Sequence, residues 1–266
     1  MLWDVNAPYA PRGVSVFLQG SYRNNTNVHG DSDVDIVICT DAVYYADTSK
    51  LSADDKRKYD GEWSRSQYQL SDFKTEVVGW LTKKYPNDIS VGNKAVYIKG
   101  NGGRRDADVV IAAEFRRYTS FPTGGVPVFE PGICFFTPSG IQIENFPKQH
   151  TESCITKNQS TEWFKKSVRA YKNLRNKMIV DGDIQAGLAP SYFIEGLLYN
   201  VPVAQFGATH SQNFNDTLNW VVQADRSEFV CANGLFYLCH PTSPVTWRSE
   251  NCTAFLNAMV KKRDNW

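Results

Sequence analysis

One segment of the chain, residues 20–38, joins a Gly-Ser pair to two acidic residues that open an apolar strand. The run Val14–Leu18 before it alternates apolar and polar residues and is rich in β-branched residues, which predicts a strand that ends in a turn at Gly20. Asp33 and Asp35 are two positions apart at the start of the next predicted strand, so their side chains share one face while the intervening apolar residues point into the core. The pattern predicts two carboxylates held side by side on a rigid sheet edge.

Two parallel carboxylates on one strand face repel each other unless one binds a proton or a cation lies between them. Oxygen ligands of this kind suit Mg²⁺, which prefers one or two carboxylates together with substrate phosphates and water. The turn at Gly20 and Ser21 would offer backbone N–H groups and a hydroxyl to those phosphates, because a side chain at Gly20 would obstruct their approach. The alternative is a solvated acidic turn, since Asp-x-Asp alone is common. The order of Gly-Ser pair, polar loop, acids and apolar strand favours Mg²⁺ with a nucleoside triphosphate.

A second predicted hairpin supplies a third acid. Its turn at residues 100–103 is followed by Asp106 and Asp108, which share one face of the next strand, so that the sequence alone nominates both. We favour Asp108 because it adjoins the apolar run 109–111 inside the sheet. Asp106 follows two arginines, and we expect it to be a solvated or ion-paired turn residue.

Several sequence blocks resemble the nucleotidyltransferase superfamily of DNA polymerase β type. More narrowly, they resemble the cGAS/DncV-like family, the bacterial relatives of cyclic GMP-AMP synthase that make cyclic oligonucleotides in anti-phage signalling. Members of this family usually carry a long N-terminal helix, whereas 13 residues precede the first predicted strand here. We therefore expect either a chain that is shortened at its N-terminus or a misassigned start codon. The blocks that carry the resemblance are residues 19–24, 30–36, 107–110, 145–150, 157–158, 163–178 and 190–195.

The resemblance implies an α+β fold in which a mixed-sheet, polymerase β-like nucleotidyltransferase core, residues 1–150, precedes a mainly helical nucleotide-binding lobe, residues 151–266. The sequence agrees, because the apolar pattern changes from period 2 to period 3.6 at Ser160. Ser160 or Thr161 is predicted to cap a helix whose buried face runs from Trp163 to Met178.

The helices and strands around these blocks are predicted from apolar periodicity. Residues 41–72 are polar and are expected to form a surface insertion, followed by an amphipathic helix from Phe73 that stops before Pro86. Extended segments are expected at 95–99, 107–115 and 131–146, and later helices at 191–202, 215–225 and 250–263.

The resemblance also assigns nucleotide contacts in the second lobe. It implies that Lys172 lies against the triphosphate, while the other basic residues of its helix, Arg175 among them, are expected to be solvated. It implies that Ser191 contacts the triphosphate and that Tyr192 stacks on the donor base, which suits a hydroxyl and a flat ring at a helix N-terminus. The alternative is that Ser191 only caps the helix and Tyr192 is a core ring.

The mechanism that follows is nucleotidyl transfer. Two Mg²⁺ ions, or Mn²⁺ in their place, would bridge Asp33, Asp35, Asp108 and the phosphates of a nucleoside triphosphate held by Ser21, Lys172 and Ser191, while a ribose hydroxyl attacks the α-phosphate and pyrophosphate departs. Closure of a cyclic product, and a downstream effector that senses it, are implied by the resemblance alone. Two alternatives remain open: an enzyme that extends RNA or adenylylates a protein or small molecule, and a non-catalytic nucleotide-binding scaffold.

Composition limits the partners. The net charge of +1 disfavours long nucleic acid, because proteins that bind it are usually clearly basic. No apolar run reaches the roughly 20 residues of a membrane span, and the N-terminus lacks a signal-sequence pattern, so we expect a cytoplasmic protein without membrane contacts. The six cysteines include no Cys-x-x-Cys pair and are expected to be small buried hydrophobic residues. The four histidines show no metal-ligand spacing, and each is expected to be a hydrogen-bonded loop residue: His29, His150, His210 and His240.

Overall fold

The computed structural model describes residues 1–28, 33–62, 64, 66–241, 243 and 245–265. Two compact units are formed, one by residues 1–19 and 33–146 and the other by residues 20–32 and 147–266. The predicted domains, 1–150 and 151–266, have a single boundary and stay a prediction. The two units of the structure differ from them, because residues 20–32 are grouped with the helical unit. His29 and the 30–32 part of the acidic motif lie outside the described residues. Among the helices that are described, none combines the length and apolar character that crossing a bilayer would require.

A seven-stranded mixed sheet forms the basis of the first unit. Its strands are β1 Val14–Leu18, β2 Val34–Asp47, β3 Ile89–Val91, β4 Val96–Ile98, β5 Ala107–Ser120, β6 Val128–Phe136 and β7 Gln142–Asn145. The strand order is β1-β2-β5-β4-β3, and β6 pairs with both β5 and β7. The long strand β5 is parallel to β2 and antiparallel to β4 and β6, which confirms the predicted mixed sheet.

The helices divide between the two units. They are α1 Gly20–Asn24, α2 Ala53–Glu62, α3 Leu70–Lys84, α4 Pro147–Thr161, α5 Phe164–Val180, α6 Ser191–Tyr199, α7 His210–Gln223 and α8 Ser249–Asp264. Two of them, α2 and α3, belong to the sheet unit, and the others belong to the helical unit. This distribution confirms the predicted α+β class, a sheet core followed by a mainly helical lobe.

One face of the sheet forms a core with α3. Alternation along β5 places Val109, Ile111 and Ala113 on that face, where they are buried with Phe73 and Leu81 of the helix. The amphipathic pattern of α3 therefore packs as predicted. Asp108 and every second residue after it in β5 belong to the opposite face.

Residues 41–47 are wrongly predicted to belong to a polar surface insertion. They continue β2, which resumes its pairing with β5 after a register shift between Thr40 and Tyr44. β-Branched and aromatic residues such as Val43 and Tyr45 suit this strand. The insertion proper is shorter and contains α2, whose Tyr59 is buried and contacts the ring of Tyr118.

The helical unit has its own core, which α5 centres. Phe164, Val168, Tyr171, Leu174 and Met178 repeat at helical spacing and are buried, as the sequence predicts. The predicted helices at 215–225 and 250–263 correspond to α7 and α8, of which α7 begins about a turn earlier.

The start of the helical unit differs from prediction. The chain is already helical from Pro147 in α4, and Glu162, with a φ of 57°, separates α4 from α5. Thr161 ends α4, and its Oγ1 accepts a hydrogen bond from the backbone N–H of Phe164 at 3.0 Å, but the N-cap position of α5 is occupied by Trp163. The predicted turn at Gly20 is likewise the first residue of α1, with a left-handed φ of 63° that favours glycine.

Alanine substitutions at two glycines of the sheet unit would test how tightly this unit is packed. A Cβ at Gly132 in β6 would lie 2.8 Å from the carbonyl oxygen of Asn145 and 2.9 Å from the buried ring of Phe146, whereas a Cβ at Gly79 in α3 would meet no atom within 4 Å. We expect Gly132→Ala to lower the free energy of unfolding by about 1–3 kcal/mol. The matched Gly79→Ala should raise it by about 0.5–1 kcal/mol, since alanine favours helix. Urea unfolding measures both, and an undiminished stability of Gly132→Ala would contradict the packing described.

Candidate active site

Three acidic side chains of the sheet unit lie near one end of the β2–β5 pair. Asp33 directly precedes β2, Asp35 is the second residue of β2, and Asp108 is the second residue of β5. The parallel register places Asp35 opposite Asp108. Neighbouring strands are about 4.8 Å apart, and residues opposite each other present their side chains to the same face. The pairing therefore brings two of the predicted acids side by side.

Asp33, the remaining acid, acts on Asp108 of this pair through its charge. Burial raises the pKa of Asp108, and the negative charge of Asp33 raises it further. Asp33 is exposed, while Asp35 and Asp108 are partly buried. The ionised acids thus repel one another in a partly desolvated setting, where repulsion is less screened than in water.

Asp106, the alternative third acid, is held in the turn before β5. Its Oδ1 accepts a hydrogen bond from the backbone N–H of Gly100 at 2.5 Å. That bond and a second one from the hydroxyl of Tyr97 lower the pKa of Asp106. Asp106 therefore stabilises the turn, as expected for a turn residue, and Asp108 is the better placed candidate.

The three acids match the ligand set of a divalent metal. All of their donor atoms are carboxylate oxygens, which hard ions such as Mg²⁺ and Mn²⁺ prefer. Burial, and after it the charge of Asp33, raises the pKa of Asp108, and a nearby cation would favour its ionised form. Asp33, Asp35 and Asp108 therefore stay the predicted metal ligands.

The Gly20–Ser21 pair lies against a buried lysine within the helical unit. Lys172 is 1% exposed, and its Nζ donates to Ser21 Oγ at 2.7 Å and to the carbonyl oxygen of Thr26 at 3.0 Å. Because the Ser21 hydroxyl accepts from Lys172, its own proton remains available to another acceptor. Lys172 thus holds the Gly-Ser segment in place through these two hydrogen bonds. Its predicted contact with the triphosphate would bring its positive charge to a phosphate close to Ser21.

Ser191 and Tyr192 begin α6. Ser191 Oγ accepts a hydrogen bond from Arg175 Nη1 at 3.2 Å, and the same nitrogen donates to the carbonyl oxygen of Ala189 at 3.0 Å. The prediction that Arg175 belongs to a solvated helix face is wrong, since it is 8% exposed. A buried guanidinium therefore lies behind the hydroxyl at this helix N-terminus.

The ring of Tyr192 is fixed from several sides. It stacks on the imidazole of His150 with ring centroids 4.7 Å apart and planes 23° apart. Its hydroxyl accepts a hydrogen bond from Asn233 Nδ2 at 3.0 Å, and Phe193 contacts it edge-on. Tyr192 is partly buried, so the ring has features of both alternatives, a core residue and a base platform.

A buried polar cluster around Glu195 in α6 is absent from the predicted sites. His150 Nε2 lies 2.6 Å from Glu195 Oε2. His150 is a buried residue of α4, so the expectation that it lies in a loop is wrong. His150, Cys154 and Glu195 have potential ligand atoms within 4.8 Å of one another. Burial and the charge of Glu195 raise the pKa of the Cys154 thiol, which opposes the thiolate that a metal would need. Hydrogen bonding therefore describes this cluster better than metal binding.

Cysteine chemistry elsewhere follows expectation. All six cysteines are free, and Cys239 alone among them is more than slightly exposed. Burial raises the pKa of Cys134 and of Cys231 to about 12. These thiols are small buried residues rather than nucleophiles.

Two family models match the chain. Residues 4–85 match a nucleotidyltransferase domain, and residues 152–263 match the cGAS/DncV-like nucleotidyltransferase C-terminal helical domain. The chain is 37% identical over 260 residues to a cyclic UMP-AMP synthase of Rhodothermus marinus, an alignment that covers 96% of this chain and 87% of the relative. It is 35% identical over 260 residues to the cyclic nucleotide synthase CdnE01 of Staphylococcus haemolyticus, with coverage of 95% and 86%.

Solved structures agree with the sequence comparison. The structure of the Rhodothermus marinus CdnE c-UMP-AMP synthase with Apcpp and Upnpp has a TM-score of 0.84 to this chain at 37% identity. The superposition covers 96% of this chain and 86% of the Rhodothermus marinus chain. The Elizabethkingia meningoseptica CdnE cyclic dinucleotide synthase, in complex with GTP and Apcpp, has a TM-score of 0.77 at 29% identity, with coverage of 97% and 88%. Both relatives are therefore enzymes observed with nucleoside triphosphates or their analogues.

The electrostatics of the acids predict opposite stability effects for two neighbouring substitutions. A raised pKa means that folding disfavours ionised Asp108, so metal-free Asp108→Asn should be at least as stable as the wild type at pH 7. The stability advantage of Asp108→Asn over the wild type should fade as the pH falls through the pKa of Asp108 in the folded protein, because the wild-type carboxyl then becomes protonated. Asp106→Asn should be less stable than the wild type at pH 7, since ionised Asp106 is stabilised by its hydrogen bonds. Thermal unfolding in EDTA across pH measures both, and a clear loss of stability in Asp108→Asn would contradict the repulsion.

Proposed function

The chain belongs to the cGAS/DncV-like nucleotidyltransferase family, and we propose that it joins nucleoside triphosphates into a cyclic di- or oligonucleotide second messenger with release of pyrophosphate. The pairing of Asp35 with Asp108 across parallel strands, with Asp33 two residues earlier, carries this proposal. Relatives at 35–37% identity that are cyclic nucleotide synthases support it. We further propose that the reaction occurs in the cytoplasm, that it serves anti-phage defence, and that a downstream effector senses the product.

The acids are proposed to bind metal. Asp33, Asp35 and Asp108 would hold two Mg²⁺ ions, or Mn²⁺ in their place. Such ions stabilise the charge that develops on phosphate oxygens and lower the pKa of an attacking hydroxyl. Within this set Asp108 is proposed to help remove the proton of the attacking ribose hydroxyl.

The helical unit is proposed to bind the nucleotide. The Ser21 hydroxyl accepts a hydrogen bond from Lys172 and can donate its own proton to a phosphate oxygen, while Gly20 leaves the backbone accessible to it. Ser191 occupies the positive end of α6, and Arg175 adds a positive charge behind its hydroxyl. Tyr192 offers a ring held by His150 and Asn233 as a platform for a base.

An RNA-extending or adenylylating enzyme would use the same acids and is the nearest alternative. The identity to cyclic nucleotide synthases over nearly the whole chain favours cyclisation. A non-catalytic scaffold is disfavoured, because all three acids of the predicted metal site are present in the sequence.

Incubation with labelled nucleoside triphosphates and Mg²⁺ or Mn²⁺ tests the proposal. We expect a phosphatase-resistant product, whose mass spectrum identifies bases and ring size, together with one pyrophosphate per bond formed. Linear products alone would contradict cyclisation, and a requirement for added RNA or protein would favour the alternative enzyme. Metal-dependent triphosphate binding without pyrophosphate release would favour the scaffold.

Substitution of the acids tests their roles. We expect Asp33→Asn, Asp35→Asn and Asp108→Asn each to lower the rate by about 100-fold or more, because each removes charge from the metal ligands. Asp106→Asn, in the turn directly before β5, is the matched control and should keep most of the activity after correction for the folded fraction. Activity retained by Asp108→Asn and lost by Asp106→Asn would transfer the role to Asp106.

A further inference from the structure

Glu195 receives three hydrogen bonds inside the helical unit. Its side chain is almost fully buried, and its carboxylate accepts from Asn24 Nδ2 at 2.9 Å, from Thr26 Oγ1, and from His150 Nε2 at 2.6 Å. Burial alone would raise the pKa of Glu195, but these three partners lower it below its ordinary value, so that the carboxylate is ionised at neutral pH. A buried ionised group of this kind is tolerated only when its surroundings compensate it.

One side of this carboxylate leads to the Gly-Ser segment. Thr26 donates its hydroxyl to Glu195 while its carbonyl oxygen accepts from Lys172, which also donates to Ser21 Oγ. The Thr26 residue thus lies between a buried anion and a buried cation. Asn24 is held at a second point, because its Oδ1 accepts from Thr151 Oγ1 at 2.9 Å. The segment from Ser21 to Thr26 is therefore fixed through buried polar groups.

The other side leads to the ring proposed as the base platform. His150 directs one nitrogen at Glu195 and stacks its ring on Tyr192. Rotation of the imidazole would break either the hydrogen bond or the stacking, so Glu195 determines the orientation of the surface on which Tyr192 rests. Tyr192 is held independently at its hydroxyl by Asn233.

We propose that Glu195 is a positioning residue that fixes the Ser21 hydroxyl, through Thr26, and the Tyr192 ring, through His150, in one arrangement for nucleotide binding. This inference rests on the nucleotide-binding roles proposed for Ser21 and Tyr192. The carboxylate matters for its charge, because two N–H donors and a hydroxyl converge on it. A glutamine removes that charge, and it keeps all three contacts only by donating its N–H₂ group to the Thr26 hydroxyl, which reverses that bond.

Glu195→Gln tests the inference with the full-length protein. The measurements are calorimetric binding of Apcpp with Mg²⁺ and the steady-state KM and kcat for ATP. We expect the dissociation constant and the KM to rise about tenfold or more, since a hydrogen bond to a buried charge contributes more than a neutral one. We also expect faster deuterium exchange at the backbone amides of residues 20–28.

Thr217→Val is the matched control for general destabilisation. Thr217 is a fully buried threonine in α7 whose Oγ1 contacts Tyr171 Oη at 3.1 Å and donates to the carbonyl oxygen of Asn213 at 2.8 Å. Its substitution removes buried hydrogen bonds in the same unit without touching residues 20–28. We expect it to lower the melting temperature while Apcpp affinity and exchange at residues 20–28 remain those of the wild type.

Three further variants separate the two routes. Thr26→Val removes the hydroxyl and keeps the carbonyl that Lys172 uses, and its effect on Apcpp binding should be non-additive with Glu195→Gln. His150→Phe keeps a ring against Tyr192 but removes the hydrogen bond to Glu195. It should therefore raise the KM less than His150→Ala, which removes both contacts.

The outcomes separate this inference from the proposed function. If the wild type binds Apcpp and Glu195→Gln binds it equally well, or if the Thr26 and Glu195 effects are strictly additive, the positioning role is overturned. If the wild type binds Apcpp but forms no cyclic product, the positioning role survives and cyclisation fails. A wild type that binds no nucleotide would overturn both. Stoichiometric zinc in the purified protein would instead identify the cluster as a metal site and overturn the role given to Glu195.

Discussion

The parallel pairing of β2 with β5 is the constraint on which the candidate chemistry depends. It sets Asp35 opposite Asp108, and the strand period then decides that the buried apolar residues and the acids occupy opposite faces. A shift of one residue in this register would send Asp108 into the α3 core. The apolar residues that follow each acid therefore hold the carboxylates in place, because their burial makes such a shift costly.

Charge is balanced differently in the two units. In the sheet unit burial raises the pKa of Asp108, and the negative charge of Asp33 raises it further. In the helical unit the buried ions are matched by internal partners: Glu195 accepts three hydrogen bonds, and Lys172 donates to Ser21 and Thr26. The first arrangement favours a cation from outside, whereas the second stabilises a fixed local structure without one.

Sequence reasoning succeeded where a periodic pattern met a simple geometric rule. The burial of the apolar residues that follow Asp35 and Asp108 follows from period 2, and the buried face of α5 follows from period 3.6. The parallel pairing that sets Asp35 opposite Asp108 is seen only in the structure. The preference for Asp108 over Asp106 depended on which acid adjoined an apolar run, and the structure places Asp106 in a hydrogen-bonded turn. Their catalytic roles stay a prediction.

Buried polar residues explain what the sequence did not reveal. The buried positions of α4 include His150, Thr151 and Thr161, so this helix has no apolar stripe that a hydrophobic pattern could detect. Arg175 was misjudged for the same reason, since a cation on a helix is ordinarily solvated. The partners that make such burial tolerable come from segments far away in sequence, and Glu195 is 169 residues from Thr26. Only the folded chain shows these pairings.

These buried polar groups also explain why the helical unit is suited to binding. Apolar contacts tolerate small shifts of the groups they join, whereas hydrogen bonds weaken steeply with misalignment and so define positions more narrowly. The Ser21 hydroxyl is reached through such bonds from Lys172, and the Tyr192 ring is held by stacking and by Asn233. A ligand that meets groups already held in place loses less conformational entropy on binding. Burial of charge, which costs stability when it is unmatched, here supports a preorganised surface.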